Sequence, residues 1–149
     1  MNRIGLVSGP LRLENAIMHG EMDQDSLYRR LGGYDSIAAI IADLFQLLKE
    51  DKRFTRFALG RSLDSRARAQ QLTVELVCTL AGGPCLYLGR DMKTSHHGLG
   101  ITAEEWDAEI ALTAEVLAKH GVHEQEKREF LELFERYRAD IVERPEKTD

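Results

Sequence analysis

The stretch running from Gly82-Gly83-Pro84 to Gly98-Leu99-Gly100-Ile101 most constrains what this chain can fold into. It holds five glycines and a proline, which exclude one continuous helix. It also carries Tyr87, Met92 and the adjacent pair His96-His97, side chains that a plain surface loop has little use for. Segments with clean helical periodicity flank it on both sides. A long irregular segment between good helices is a place where function concentrates.

Upstream, Ile37, Ile40, Ile41, Leu44, Phe45 and Leu48 recur at helical spacing and give a wide apolar face to a helix opened by Asp35 or Ser36. A short helix precedes it, with Asp25-Ser26 as polar start, Leu27-Tyr28-Arg29-Arg30-Leu31 as body and Gly32-Gly33 as stop. A third helix is predicted over about residues 63–81, with Ala69, Leu72, Thr73, Leu76, Val77 and Leu80 turned inward. Thr73 either bonds to its own helix or faces a pocket. Between the two long helices, Phe54 and Phe57 mark a turn anchored to the core, with Phe57 as an alternative pocket wall.

Downstream, Thr102-Ala103-Glu104-Glu105 has the capping-box pattern. It opens a helix that turns Trp106, Ile110, Ala114 and Leu117 inward and stops at His120-Gly121, where His120 complements the helix dipole. The last helix is predicted over about residues 124–142, with Phe130, Phe134, Tyr137 and Ile141 on one face and Pro145 beyond it. No strand pattern occurs, so the chain reads as all-α around one shared core.

A chain of 149 residues, 43% hydrophobic and 30% charged, suffices for one domain with a soluble surface. The formal net charge of −5 excludes the basic footprint of a nucleic-acid binder. No apolar run is long enough to span a bilayer. Cys78 and Cys85 are too few for a disulfide scaffold; they read as apolar filler or quiet loop thiols and suit a cytoplasmic protein. Residues 1–24 read as a flexible extension with a short turn around Leu11, Leu13 and Ile17, residues 25–143 as the domain, and residues 144–149 as a tail.

Several chemistries are absent. There is no nucleophile-elbow or P-loop pattern, and Gly82-Gly83-Pro84 does not follow a strand. Glu104-Glu105 sit at an exposed helix start, where charge is stabilising. Neighbouring histidines diverge by about 100° on a helix, so at most one of His96 and His97 faces a pocket. A single imidazole among apolar neighbours is a poor hydrolytic metal site. It does suit the axial position of haem, whose porphyrin supplies the equatorial ligands.

One set of residues goes further: Leu27-Tyr28-Arg29-Arg30-Leu31-Gly32-Gly33, Gly82-Gly83-Pro84, Tyr87, Gly89-Arg90, Met92, His96, Gly98, Gly100-Ile101-Thr102 and Gly121-Val122. In this order and spacing the chain resembles the truncated haemoglobins, most closely group I, over roughly residues 25–143. The resemblance implies a truncated globin-like two-over-two helical sandwich around haem b. His96 is then the proximal iron ligand and His97 its solvent-side neighbour. Tyr87, Met92 and Leu99 become haem contacts, with Arg90 and Lys93 candidates for the propionates. Ile101 and Trp106 fall on the proximal and inner edge, and Phe45, Phe57, Ala69, Leu72, Thr73 and Val77 on the distal side.

The departures from the family carry as much information. Leu44-Phe45 stands where group I members commonly have Phe-Tyr, whose hydroxyl donates to bound oxygen. Phe57-Ala58 stands for Phe-Phe, and Thr73 for a common glutamine, with Gln70 or Gln71 as alternatives. No histidine lies on the Ala69–Val77 face, and His19 in the extension could reach the pocket only by folding over it. The resemblance implies reversible binding of oxygen, nitric oxide or carbon monoxide by a monomer or weak homodimer with an unusually apolar distal pocket. Nitric oxide dioxygenation with an external reductase is a possible enzymatic role. A haem-free interaction module and a haem redox or peroxidase-like protein are the competing expectations.

Overall fold

A computed structural model describes residues 25–144; the expected extension over residues 1–24, His19 and Pro145 lie outside the described residues. The helices are α1 (Leu27–Arg30), α2 (Tyr34–Glu50), α3 (Thr55–Ala58), α4 (Leu63–Leu80), α5 (Met92–His96), α6 (Ala103–Lys119), α7 (Glu124–Glu135) and α8 (Arg138–Ile141), with a 3-10 turn, Lys52–Phe54, before α3. Among the described residues there is no strand, only an isolated bridge between Thr102 and Arg144.

The periodicity of α2 organises the rest. Ile37, Ile40, Ile41 and Leu44 are fully buried and meet Val74 and Val77 of α4 and Val116 and Leu117 of α6 in one cluster. Accordingly α2 packs on both α4 and α6, and α6 packs on α7, which makes two layers of two long helices. Phe130 and Leu133 close the cluster from α7, with Phe134 stacked edge-on against Phe130. Burying one such side chain contributes roughly 1.5–3 kcal/mol.

Several ends differ from expectation. Neither Asp35 nor Ser36 caps α2: the helix begins at Tyr34, with Gly33 at φ +84° as N-cap and no side-chain bond to the first turn. The Gly32-Gly33 reversal leads straight into the helix and leaves no place for a polar cap. The Thr102 N-cap of α6 forms, with Glu105 N donating to Thr102 Oγ1 at 3.1 Å. The Glu105 carboxylate, however, accepts from Thr102 Oγ1 and Arg56 in place of the Thr102 N–H that a full capping box uses. The predicted final helix is two helices, because the chain turns at Arg136-Tyr137 and lets α8 pack on α5.

The largest correction concerns the cysteines. Cys78, fully buried near the end of α4, and Cys85 form a disulfide across seven positions. Gly82-Gly83-Pro84 reverses the chain between them. A Cβ at Gly83 would collide with the Tyr28 ring and the Cys78 sulfur, so only glycine lets this turn close. Neither cysteine is filler or a quiet thiol, and cysteine usage no longer argues for a reducing cytosol. By loop entropy so short a crosslink contributes about 2–3 kcal/mol. Reduction, or the double substitution to serine, should lower the denaturation free energy by that amount; an unchanged midpoint would show that the bridge does not constrain the chain.

Candidate functional site

The irregular centre is built to hold α5. Leu86 and Leu88 point outward while Tyr87 between them is half-buried, its hydroxyl donating to the Arg90 carbonyl. Burial raises the Tyr87 phenol above its ordinary pKa, so it stays protonated as a donor. Asp91 caps α5, accepting from Thr94 N, and hydrogen bonding from the Thr94 side chain, with the backbone bond beside it, holds its carboxyl below the usual range.

One turn on, His96 Nδ1 lies 2.8 Å from the Met92 carbonyl and 2.9 Å from Ser95 Oγ. A carbonyl only accepts, so this contact fixes the proton on Nδ1 and leaves Nε2 as a bare acceptor. Among the described residues Nε2 makes no hydrogen bond. His97 is exposed and follows the last residue of α5.

The loop after His96 is clamped from two sides. Glu143 accepts from Gly98 N at 2.6 Å and from Gly100 N at 3.3 Å, while its own N–H donates to the Ile101 carbonyl. Arg56 of α3 donates to the Leu99 and Gly100 carbonyls and to both oxygens of Glu105 on α6, with its guanidinium 4.0 Å above the Phe57 ring. Arg56 therefore ties α3 to the loop that carries His96. Nothing local in the sequence announces a contact across more than forty positions.

Half-buried apolar side chains of α4, α5 and α6 that stay outside the core mark a candidate slot between α4 and α5. These helices pack on α2 and α8 respectively, without extensive contact with one another. Leu72 and Leu76 of α4, Met92 of α5, Ile110 of α6, and Tyr87, Phe57 and Ile101 are half-buried, yet join neither the core cluster nor the shell packed on it. Ala69 and Thr73 share that face of α4, Thr73 Oγ1 donating to the Ala69 carbonyl at 2.9 Å. Phe45 is half-buried against the core, and Val77 belongs to the core itself. Trp106 is buried, its indole N–H donating to Glu135.

The remaining predicted residues sit at the rim or outside. Arg90 and Lys93 are exposed, and Leu99 is 41% exposed. Gln71 is exposed and donates to the Tyr34 hydroxyl, so it does not turn inward; Gln70 is half-buried. His120 caps the end of α6 and also pairs with Asp43 of α2 at 2.7 Å. A separate surface cleft of about 690 Å³ lies between Tyr28, Arg29, Gly32, Gly33 and the Gly82-Pro84 turn, and contains none of the candidate residues.

Two polar residues on the helices that carry these side chains escape a reading by composition. Arg66 lies three and seven residues before Ala69 and Thr73, on the same side of α4, and its Nε is buried with no partner among the described residues. Glu109 lies half-buried between Trp106 and Thr113 on α6, and desolvation pushes its carboxyl up to about 7. The signal for both was a charge inside an apolar helical stripe.

Residues 26–143 match the family model described as bacterial-like globin. The chain belongs to the bacterial-like globin family. A group 1 truncated haemoglobin of Mycolicibacterium paratuberculosis is 28% identical over 106 residues, 71% of this chain and 76% of that protein. That of Tetrahymena pyriformis is 26% identical over 117 residues, 78% of this chain and 94% of the relative. The crystal structure of a substituted form of the Tetrahymena pyriformis protein, in the Fe(III) state, superposes with a TM-score of 0.72 at 25% identity, covering 79% of this chain and 98% of that one. A Synechococcus 2/2 haemoglobin with covalently attached haem shares the fold, with a TM-score of 0.71 at 22% identity over 80% of this globin and 99% of its own chain. This globin is a truncated haemoglobin of the two-over-two kind, and its family implies haem and a gaseous ligand.

Proposed function

We propose that this globin binds a small diatomic ligand, oxygen or nitric oxide, reversibly at haem iron held by His96. The single observation that carries the reading is the Met92 carbonyl at His96 Nδ1, which leaves Nε2 available as a metal ligand. The slot fits the group. Its half-buried apolar lining suits a porphyrin face, and the unpartnered Nε of Arg66 suits an anionic propionate. Arg90 and Lys93 on the rim would supply further positive charge to the propionates.

Haem supplies ligand binding and redox chemistry when bound; the chain contributes orientation, dryness and charge. Tyr87, Met92, Leu99, Ile101 and Trp106 would hold its proximal side and edge. Phe45, Phe57, Ala69, Leu72 and Thr73 would line the distal side; of these five only Thr73 is polar, its hydroxyl engaged by its own helix. Val77 is fully buried in the core and does not reach the slot. Haem b, without thioether links, suits a chain whose two cysteines are joined to one another. Nitric oxide dioxygenation would require an external reductase, and carbon monoxide would bind as a competing ligand.

Titrating the haem-free protein with haem tests the reading. One equivalent should saturate a sharp Soret band that shifts when carbon monoxide is added to the reduced protein. Uptake without a defined end point, or none, would contradict it.

A further inference from the structure

We propose that Glu109 is the hydrogen-bonding group of the ligand face: its carboxyl lies on the side of the haem opposite His96 and exchanges a hydrogen bond with the bound ligand. The proposal rests on the haem reading above. Its first support is helical position. Glu105, one turn earlier on α6, reaches Arg56 on α3, while Thr113 and Val116 further along are buried where α6 packs on α2. At 3.6 residues per turn Glu109 falls between these directions, facing α2 and α3 rather than solvent. Those two helices carry Phe45 and Phe57, the proposed distal residues.

The second support is the absence of any other task. Among the described residues no donor reaches the Glu109 carboxyl; only its backbone carbonyl is used, accepting from Thr113 Oγ1 at 2.8 Å. The charged groups on surrounding elements are mostly engaged elsewhere. Arg56 of α3 holds Glu105, Asp43 of α2 holds His120 and Lys119, and Glu135 of α7 accepts from the Trp106 indole. Arg66 of α4 and His96 of α5 remain as the ionisable groups that border the same slot.

A half-buried acid with no protein partner leaves its carboxyl available to a ligand on that side. As the neutral acid it donates to a ligand with negative charge density, such as bound oxygen. As the carboxylate it can only accept, and favours ligands that carry protons, such as water. With burial holding its titration near neutrality, Glu109 makes ligand preference depend on pH across the neutral range.

The test uses full-length, haem-loaded protein in the ferrous state with carbon monoxide as probe, read by the infrared C–O stretch. A donor beside the ligand lowers this stretch. In the wild type the band should move to higher frequency as pH rises through the neutral range. In Glu109→Gln it should stay at one frequency at every pH, and in Glu109→Leu it should stay at the donor-free, higher position. Helix content by circular dichroism checks folding; if the leucine variant fails to fold, the glutamine variant decides alone. A pH-dependent band in Glu109→Gln, or a wild-type band that never moves, would overturn the proposal. Failure of the wild type to take up haem would overturn both this proposal and the reading beneath it.

Discussion

His96→Ala should fold with the helix content of the wild type and hold haem at least about 100-fold more weakly. The fold should survive because His96 is half-buried on a five-residue helix outside the core cluster, so its truncation leaves no large core cavity. Haem should be lost because no other described histidine is placed to replace it. His97 and His123 are exposed, and His120 is held by Asp43. Loss of an outer-shell partner to a metal ligand typically costs 10–100-fold in affinity, so loss of the ligand itself should exceed that. Free imidazole should restore the Soret position by occupying the vacated coordination site. Wild-type haem affinity and an unchanged ferrous spectrum in His96→Ala would contradict the assignment.

Phe45→Tyr should slow oxygen dissociation by about tenfold. Phe45 is half-buried against the core on α2, so tyrosine adds a hydroxyl with little change in shape. A hydrogen bond contributes roughly 0.5–1.5 kcal/mol, more when the acceptor is charged, and about 1.4 kcal/mol is a factor of ten. The effect should be largest near pH 8.5, where Glu109 is a carboxylate and cannot donate, and smaller near pH 6, where its acid form already does. Stopped-flow dissociation at both pH values measures this directly. Equal rates in the two proteins at pH 8.5 would remove Phe45 from the ligand face.

The fold was largely legible because its determinants are local. The stripe from Ile37 to Leu48, the Thr102–Glu105 cap and the glycine turns at Gly82-Gly83 and Gly121 each declare themselves within one or two helical turns. What escaped is tertiary. The Cys78–Cys85 bridge depends on a helix end doubling back through Gly83, which a count of two cysteines does not reveal. The break at Arg136-Tyr137 carries no glycine or proline; it follows from α8 docking on α5.

The candidate site divides in the same way. His96, Met92 and Tyr87 stood out because histidine, methionine and tyrosine are conspicuous in a glycine-rich segment. Arg56, Arg66 and Glu109 did not, because charged residues on helices usually face water. Only tertiary packing brings Arg56 onto the Leu99 carbonyl, buries the Arg66 Nε and desolvates Glu109.

The iron–histidine stretch of the ligand-free ferrous protein, read by resonance Raman, tests the central claim most directly. An imidazole whose Nδ1 is committed to the Met92 carbonyl should give a single five-coordinate band, lost in His96→Ala and regained with free imidazole. A six-coordinate ferrous spectrum in the wild type, or a histidine band that persists in His96→Ala, would contradict it.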